Sequence, residues 1–412
     1  MQIPSELRGD RDATRLLRQI ARQVGLDIEG GRVRRTSSRF CLGVEHGDYN
    51  GTHLFGVGTD RFIWLTWKPN DSGRRRWFSG NFPHDGVIEV TDELPPPRSV
   101  TDSWARFAYG VEYILRREGF PVSQGLDGVI VGNIPGGGMS RSASLTLNLM
   151  LTLLEAHRVR GVPPMQIVRM AQAVENDYIG SPCGQLDQIM ILFARAGMGT
   201  HFDPDTGRVR HVPLGSGAPD FRLVSLDTGT VRPGLEKSTY RIRRAECEEL
   251  VQLAGPEFGI RRLADVTDPD LYRRILKRFG ASHPDHCARL TYIFHAQRRF
   301  REMLRAWRRG DIEAVGRVFR MDGIGLRDDY RISGPELETM CDIARTVPGV
   351  LGERMLGGGD KGAAGAIVLA SALRRLREAV ERAYPLSHPA YADRFAVHEL
   401  NVVDGVTTFD LS

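Results

Sequence analysis

Apolar positions recur along this chain with two different periods, so both helices and strands are expected. Leu17, Ile20 and Val24 follow helical spacing, and residues 102–118 repeat that pattern. The short apolar run at 129–131 has the length of a buried strand. Helical patterns predominate in the second half, and the candidate domain boundary falls near residues 201–212.

One stretch joins both kinds of element through a glycine-rich turn. The predicted strand at 129–131 is followed by three glycines at 136–138, then by Ser140 and Ser142, and then by a long apolar helical pattern. Glycine allows close backbone approach, and the first N–H groups of a helix favour an anion. The stretch has neither a Walker A ending nor the dinucleotide-binding spacing. It is either a triphosphate-binding loop or a tight strand-to-helix turn.

Ionisable residues are concentrated in a second glycine-punctuated segment and at one isolated position. Arg39, Glu45, His46 and Asp48 lie within ten positions, which indicates either a binding loop or a solvated loop. Asp187 stands among apolar residues, where a carboxylate is costly to bury without a partner or a function. We therefore expect Asp187 to be functional, the alternative being a capping or salt-bridged aspartate.

Composition is that of a globular protein with one large or two medium domains. The chain has 412 residues, of which 41% are hydrophobic and 26% charged, with no signal-like or membrane-spanning apolar run. The net charge is +5, but the arginines alternate with acids, so we expect neither a nucleic-acid nor a membrane partner. The arginine triplet at 74–76 is expected in an exposed turn. Five scattered cysteines fit a reducing cytoplasm rather than disulfides or zinc.

Several segments, taken together and in order, resemble galactokinases of the GHMP kinase family. They are EHGDYNG (45–51), GGGMSRSAS (136–144), PCGQLDQ (182–188), STYRIRRAECEEL (238–250), LRDDYRISGPELE (326–338) and RMLGGGDKGAAGA (354–366). The resemblance implies an α+β, two-domain GHMP kinase fold with the active site in the cleft. Residues 1–208 would form a ribosomal-protein-S5-domain-2-like domain, and residues 209–412 a ferredoxin-like domain.

The resemblance also implies a role for each residue that falls on a motif position of the family. Asp187 would be the catalytic base, with Arg39 beside it. The other matches are Glu45, His46, Asp48 and Tyr240 for the sugar, Gly136, Gly137, Gly138, Ser140, Arg141 and Ser142 for the triphosphate, and Ser142 and Glu175 for Mg²⁺. These residue types suit phosphoryl transfer, which depends on positioning and charge neutralisation. Aspartate can accept a hydroxyl proton, and Mg²⁺ favours oxygen ligands.

The resulting prediction is a cytoplasmic ATP- and Mg²⁺-dependent sugar 1-kinase, with galactose as the first candidate, acting as a monomer or weak dimer. Some residues depart from the family pattern: Arg141 replaces a small serine, Ser38 and Cys41 replace a glycine and an asparagine, and Asp360-Lys361 replace Phe-Gly. One alternative is therefore a kinase for another sugar, such as arabinose or a uronic acid whose carboxylate Arg141 or Lys361 would recognise. Another is a non-catalytic galactose sensor on the same fold.

Overall fold

The computed structural model describes residue 7, residues 9–230 and residues 238–411. The strands of this part of the chain are β1 (Arg32–Gly43), β2 (Leu54–Asn70), β3 (Arg75–Ser79), β4 (Val87–Val90), β5 (Gly125–Gly132), β6 (Met198–Asp203), β7 (Arg208–Pro213), β8 (Phe221–Asp227), β9 (Val350–Met355), β10 (Ala363–Leu369), β11 (Ala396–Leu400) and β12 (Val406–Asp410).

The helices are α1 (Asp10–Val24), α2 (Ala105–Arg117), α3 (Arg141–Ala156), α4 (Pro164–Ala173), α5 (Leu186–Leu192), α6 (Thr239–Phe258), α7 (Pro269–Phe279), α8 (Pro284–Arg309), α9 (Ile312–Asp328), α10 (Pro335–Arg345) and α11 (Leu373–Ser387). A π-helical turn, Val174–Ile179, continues α4. None of the described helices combines the length and the apolar content that a bilayer crossing requires.

The strands form two sheets. The first has the order β12-β1-β2-β5-β3-β4, and β6 pairs with both β2 and β7. Among the described strand pairs of this sheet, only β3–β5 is parallel. The second is antiparallel, in the order β11-β8-β10-β9. The predicted α+β class is thus confirmed. The predicted domain division at 208/209 stays a prediction, and β12, from the end of the chain, returns to pair with β1.

Helix α3 carries the glycine-rich turn and is anchored to the first sheet by a polar side chain. Its buried face packs on β1 and β2. The amide of Asn148 donates hydrogen bonds to the carbonyls of Arg34 on β1 (3.2 Å) and Ile63 on β2 (3.1 Å). Because the apolar face sets the distance and Asn148 sets the register, the N-terminus of α3 is fixed relative to both strands.

The two sheets are joined through an aromatic contact. Phe40 of β1 stacks on Phe319 of α9 with ring centroids 5.4 Å apart, and α9 packs on β9 of the second sheet. A Cβ at Gly365 of β10 would lie 2.7 Å from the Phe40 ring, so glycine leaves the space that this ring fills. The core therefore continues from one sheet to the other.

The expectation that residues 74–76 form an exposed turn is wrong for two of the three arginines: Arg74 is exposed, but β3 begins at Arg75 and buries it. The Arg75 guanidinium donates two hydrogen bonds to the Glu112 carboxylate of α2, at 3.0 and 2.9 Å. Arg76 makes a similar pair with Asp127, at 2.8 and 2.6 Å. Both acids are distant in sequence, so the local charge run gave no sign of them.

We expect Glu112→Gln to destabilise the protein strongly. The Arg75 and Glu112 side chains are 2% and 0% exposed, so the neutral amide would leave the buried guanidinium with only the exposed Asp92 carboxylate, 3.5 Å away, as a counter-charge. Breaking a buried pair in this way costs roughly 3–5 kcal/mol of unfolding free energy. Urea denaturation measures the change. The matched control is Glu118→Gln, whose half-exposed carboxylate contacts Arg117 at the end of the same helix; equal losses in both variants would contradict the prediction.

Candidate active site

A single cavity of about 590 Å³ brings together all the residues to which the family resemblance assigns a role. They are Arg39, Glu45, His46, Asp48, Gly136, Gly137, Gly138, Ser140, Arg141, Ser142, Glu175, Asp187 and Tyr240. They come from β1, the loop after it, the turn before α3, the π-helical turn, and the N-termini of α3, α5 and α6. The fold thus gathers segments that are up to 200 positions apart in the sequence.

The glycine-rich turn lies at the N-terminus of α3, as the sequence predicts. Ser140, immediately before the helix, has a left-handed backbone (φ 62°), and Gly138 has φ 80°. Arg141 and Ser142, in the first helical turn, line the cavity. The unpaired N–H groups and positive dipole end of α3 therefore lie at the cavity, which is a suitable place for phosphate.

A second glycine run packs directly on this turn. A Cβ at Gly137 would lie 2.7 Å from the Gly362 Cα, and one at Gly357 would lie 2.9 Å from the Gly138 Cα. Side chains at these contacts would separate the two backbones. Gly357 and Gly358 also line the cavity, so the second run both shapes the site and contributes to its surface.

Asp187 and Arg39 form the central ion pair of the cavity. The Arg39 Nε donates to Asp187 Oδ1 at 2.8 Å, and its Nη1 donates to the Gly138 carbonyl at 2.9 Å. Arg39 is 2% exposed, whereas the Asp187 side chain is 34% exposed and lines the cavity. Burial lowers the pKa of Arg39, but the charges of Asp187 and Glu45 outweigh it and raise the pKa above its usual value. A permanent cation therefore links the aspartate to the glycine-rich turn.

Glu45 lies between two buried arginines, one of which sequence reasoning did not select. Its Oε1 is 3.5 Å from Arg39, and its Oε2 is 3.5 Å from Arg354 of β9. Arg354 is 1% exposed, donates to the Cys41 carbonyl (2.8 Å) and lies over the Phe319 ring. The sequence signal for it is a pair of charged residues, Glu353 and Arg354, within an otherwise apolar strand. Glu45 thus contributes to holding Arg39 in place, besides lining the cavity.

Asp48 is fixed at the entrance to α5. Its Oδ2 accepts the Leu186 N–H at 3.0 Å, and a Cβ at Gly184 would overlap its carboxylate, so glycine is required there. Burial raises the pKa of Asp48 to about 6, and the negative charges of Asp187 and Glu45 act in the same direction. Asp48 therefore changes its protonation state close to neutral pH.

His46 is enclosed by three tyrosines, of which the sequence indicated only Tyr240. The His46 Nδ1 and the Tyr49 hydroxyl are 2.8 Å apart, and the Tyr49 and Tyr330 hydroxyls are 2.6 Å apart. The His46 ring lies 5.2 Å from Tyr240 and 5.1 Å from Tyr330. This aromatic group holds His46 in a left-handed conformation (φ 58°), which a histidine seldom adopts unless its surroundings require it.

Two oxygen donors suited to Mg²⁺ line the same cavity. Glu175 is 4% exposed, lies in the π-helical turn, and accepts a hydrogen bond from Gln188 at 3.3 Å. Ser142 lies in the first turn of α3. A carboxylate and a hydroxyl beside a phosphate-sized turn fit a hard cation that also keeps phosphate and water ligands.

The residues that depart from the family pattern have different surroundings. Asp360 accepts the Thr239 N–H (2.9 Å) at the start of α6, the helix that carries Tyr240. Lys361 does not line the cavity, whereas Arg141 does, with its guanidinium 5.7 Å from the Phe82 ring centroid. Of the two cations considered for a uronate carboxylate, only Arg141 is therefore at the cavity.

Known proteins match this chain over most of its length. Residues 106–195 match the GHMP kinases N terminal domain. Galactokinase from Limosilactobacillus fermentum is 30% identical over 82% of this chain and 86% of its own, and galactokinase from Exiguobacterium sibiricum is 32% identical over 85% and 88%. The chain belongs to the galactokinase family. The family that the sequence motifs predicted is thus confirmed.

Solved structures agree with this assignment of the galactokinase family. The crystal structure of Lactococcus lactis galactokinase complexed with galactose has a TM-score of 0.86 and 27% identity, covering 96% of this chain and 99% of that one. Mevalonate kinase from Methanococcus jannaschii has a TM-score of 0.60 at 12% identity, which shows the shared fold alone. The predicted GHMP kinase fold is confirmed.

Proposed function

We propose that the protein phosphorylates D-galactose at O1 with ATP, giving galactose 1-phosphate and ADP. The observation that carries this proposal is the Arg39–Asp187 pair, which lies in one cavity with both the glycine-rich turn and the 45–48 loop. Membership of the galactokinase family supports the choice of galactose. In the reaction, O1 forms a bond to the γ-phosphorus while the bond between that phosphorus and the bridging oxygen of ADP breaks.

In the proposed mechanism, Asp187 accepts the proton of the sugar O1 hydroxyl. Its partly exposed carboxylate faces the cavity, and Arg39 keeps it oriented and favours the developing alkoxide. The N-terminus of α3 stabilises the charge of the phosphates. Arg39 also donates to the Gly138 carbonyl, so the same side chain aligns Asp187, the proton acceptor, with the glycine-rich turn.

Mg²⁺ is proposed to be held by Ser142 and Glu175 together with the phosphates. When bound, it would neutralise phosphate charge. The chain itself would present one carboxylate and one hydroxyl oxygen. The Gln188 amide orients the Glu175 carboxylate by donating a hydrogen bond to it.

Sugar recognition is assigned to Asp48, His46, Tyr240 and Glu45. Asp48 and Glu45 can accept sugar hydroxyls, and His46 can donate or accept. A site with paired buried polar groups penalises loss or inversion of one hydroxyl. We therefore expect activity on galactose and little on glucose, which differs at the 4-hydroxyl.

An ADP-release assay with a sugar panel tests the proposal directly. Galactose should be turned over much faster than glucose, arabinose or galacturonate. Faster turnover of galacturonate would replace galactose with a uronic acid, and Arg141 at the cavity is the observation that makes this second candidate worth testing. Binding of galactose without ADP release from any sugar would replace the kinase with a sensor.

Glu175→Gln should weaken the Mg²⁺ dependence much more than the affinity for galactose. A neutral amide is a poorer ligand for a hard cation, and groups that merely support a metal ligand already change metal affinity by about 10–100-fold. A magnesium titration of turnover should therefore shift by about tenfold or more. The control is Asp177→Asn, an exposed acid in the same π-helical turn. An unchanged titration with a collapsed galactose affinity would contradict the assignment.

The proposed location is the cytoplasm, and the proposed state a monomer or weak dimer. All five cysteines are free thiols, four of them buried, which suits a reducing compartment. Sedimentation of the full chain would determine its oligomeric state.

A further inference from the structure

A second cavity, of about 620 Å³, is rich in arginine and shares no lining residue with the candidate active site. One wall is a face of α8 that carries Arg298, Arg301, Arg305 and Arg308. Their spacing of three, four and three positions places them on one side of the helix. They extend over about three turns, or about 15 Å.

Among the described residues, these four arginines lack the carboxylate partners that other arginines of the same helix have. Arg289 pairs with Glu246 at 2.7 Å, and Arg299 pairs with Asp322 at 2.6 Å. The arginines of the cavity face are exposed, and no carboxylate of the described residues makes an ion pair with any of them. Arg298 contacts the Phe294 ring instead. Adjacent like charges repel one another, so this face favours an anion.

The lining of the cavity also includes a fifth arginine and a histidine pair. Arg262 forms ion pairs with Asp205 and Asp265, so Asp205, which also lines the cavity, already has a partner. His53 Nδ1 and His201 Nε2 are 3.1 Å apart. His201 is 7% exposed, lines the cavity, and its Nδ1 has no hydrogen-bond partner among the described residues. The lining thus combines five arginines and two histidines with a single carboxylate, that of Asp205.

We propose that this cavity binds a small anion with at least two phosphoryl groups. The planar guanidinium pairs well with phosphate oxygens, and a row of four provides more donors than one phosphate can occupy. The concave shape favours a compact anion over an extended polymer. The site is independent of the proposed kinase reaction, since none of its lining residues belongs to the candidate active site.

Calorimetric titration of the full chain with sodium tripolyphosphate, in magnesium-free buffer of low ionic strength, tests the proposal. The key variant is Arg301→Gln/Arg305→Gln/Arg308→Gln. The matched control is Arg11→Gln/Arg15→Gln/Arg22→Gln, which removes the same charge from exposed positions of α1. Because the glycine-rich turn can also take tripolyphosphate, the readout is the difference between the proteins. The key variant should lose one binding event, or weaken it by about tenfold or more, while the control matches the wild type.

Three results would overturn the proposal. The first is equal binding by the key variant and the wild type. The second is orthophosphate binding to the arginine face as tightly as tripolyphosphate, which would contradict the requirement for two phosphoryl groups. The third is a DNA duplex occupying the face in place of tripolyphosphate, which would make the ligand an extended polyanion.

A measurement on the wild-type chain keeps the test independent of variant folding. Tripolyphosphate should protect Arg301 and Arg305 from modification by phenylglyoxal while leaving Arg11 reactive, as read by peptide mass spectrometry. Equal modification of these arginines with and without tripolyphosphate would also contradict the proposal.

Discussion

Replacing Asp187 with asparagine should lower turnover by about two orders of magnitude or more, the usual scale for loss of a general base. The amide keeps the shape of the side chain and can still contact Arg39, but it cannot accept the sugar proton. Binding of ATP should change little, because the substitution leaves the glycine-rich turn and α3 unchanged. Single-turnover kinetics measures the chemical step, and calorimetry with a non-hydrolysable ATP analogue measures binding.

Two comparisons make the Asp187 result specific. Asp71→Asn, at an exposed turn remote from the cavity, should leave turnover unchanged. The thermal unfolding of Asp187→Asn should also be compared with the wild type, because Arg39 is buried and would retain only Glu45 as a counter-charge. A folded Asp187→Asn variant with near-normal turnover would exclude this residue as the base.

Replacing Asp48 with alanine should reduce kcat/KM for galactose by about a hundredfold, through both affinity and turnover. Losing a hydrogen bond to a charged group costs roughly 1.5–3 kcal/mol, and a hundredfold loss corresponds to about 2.7 kcal/mol. The second effect is on α5, because the Leu186 N–H would lose its acceptor next to Asp187. Asp48→Asn separates the two effects, since the amide oxygen can still accept the Leu186 N–H. Near-normal kcat/KM in the alanine variant would remove Asp48 from the sugar site.

The raised pKa of Asp48 gives this prediction a pH dependence. Burial places the pKa at about 6, so the group is a carboxylate above that pH and a neutral acid below it. The KM for galactose should therefore rise as the pH falls through about 6. Asp48→Asn should flatten this part of the profile, because the amide does not titrate. A profile that is the same in both proteins would assign the pH dependence to another group.

The glycine-rich turn before α3 could be predicted from the sequence because all of its parts are contiguous. A buried strand, three glycines and an apolar helix follow one another, and local sterics and helix dipoles act over a few residues. Asp187 was also visible, since a carboxylate among apolar residues is costly in any fold. The proposed sugar and metal residues could be selected only through the resemblance to a family. The structure brings them to one cavity with Asp187 and the glycine-rich turn.

Contacts between distant segments were decided only by the tertiary structure. Arg354 reaches Glu45 from 309 positions away, the exposed-looking Arg75 pairs with Glu112, and the second glycine run packs on Gly137. Strand β12, near the other end of the chain, likewise pairs with β1. Periodicity and turn chemistry report the local environment of a residue, whereas a buried charge is neutralised by whichever partner the packing brings near. The sequence alone therefore pointed to the glycine-rich turn and Asp187 as candidate site residues, and the packing of the two sheets decided which side chains hold them in place.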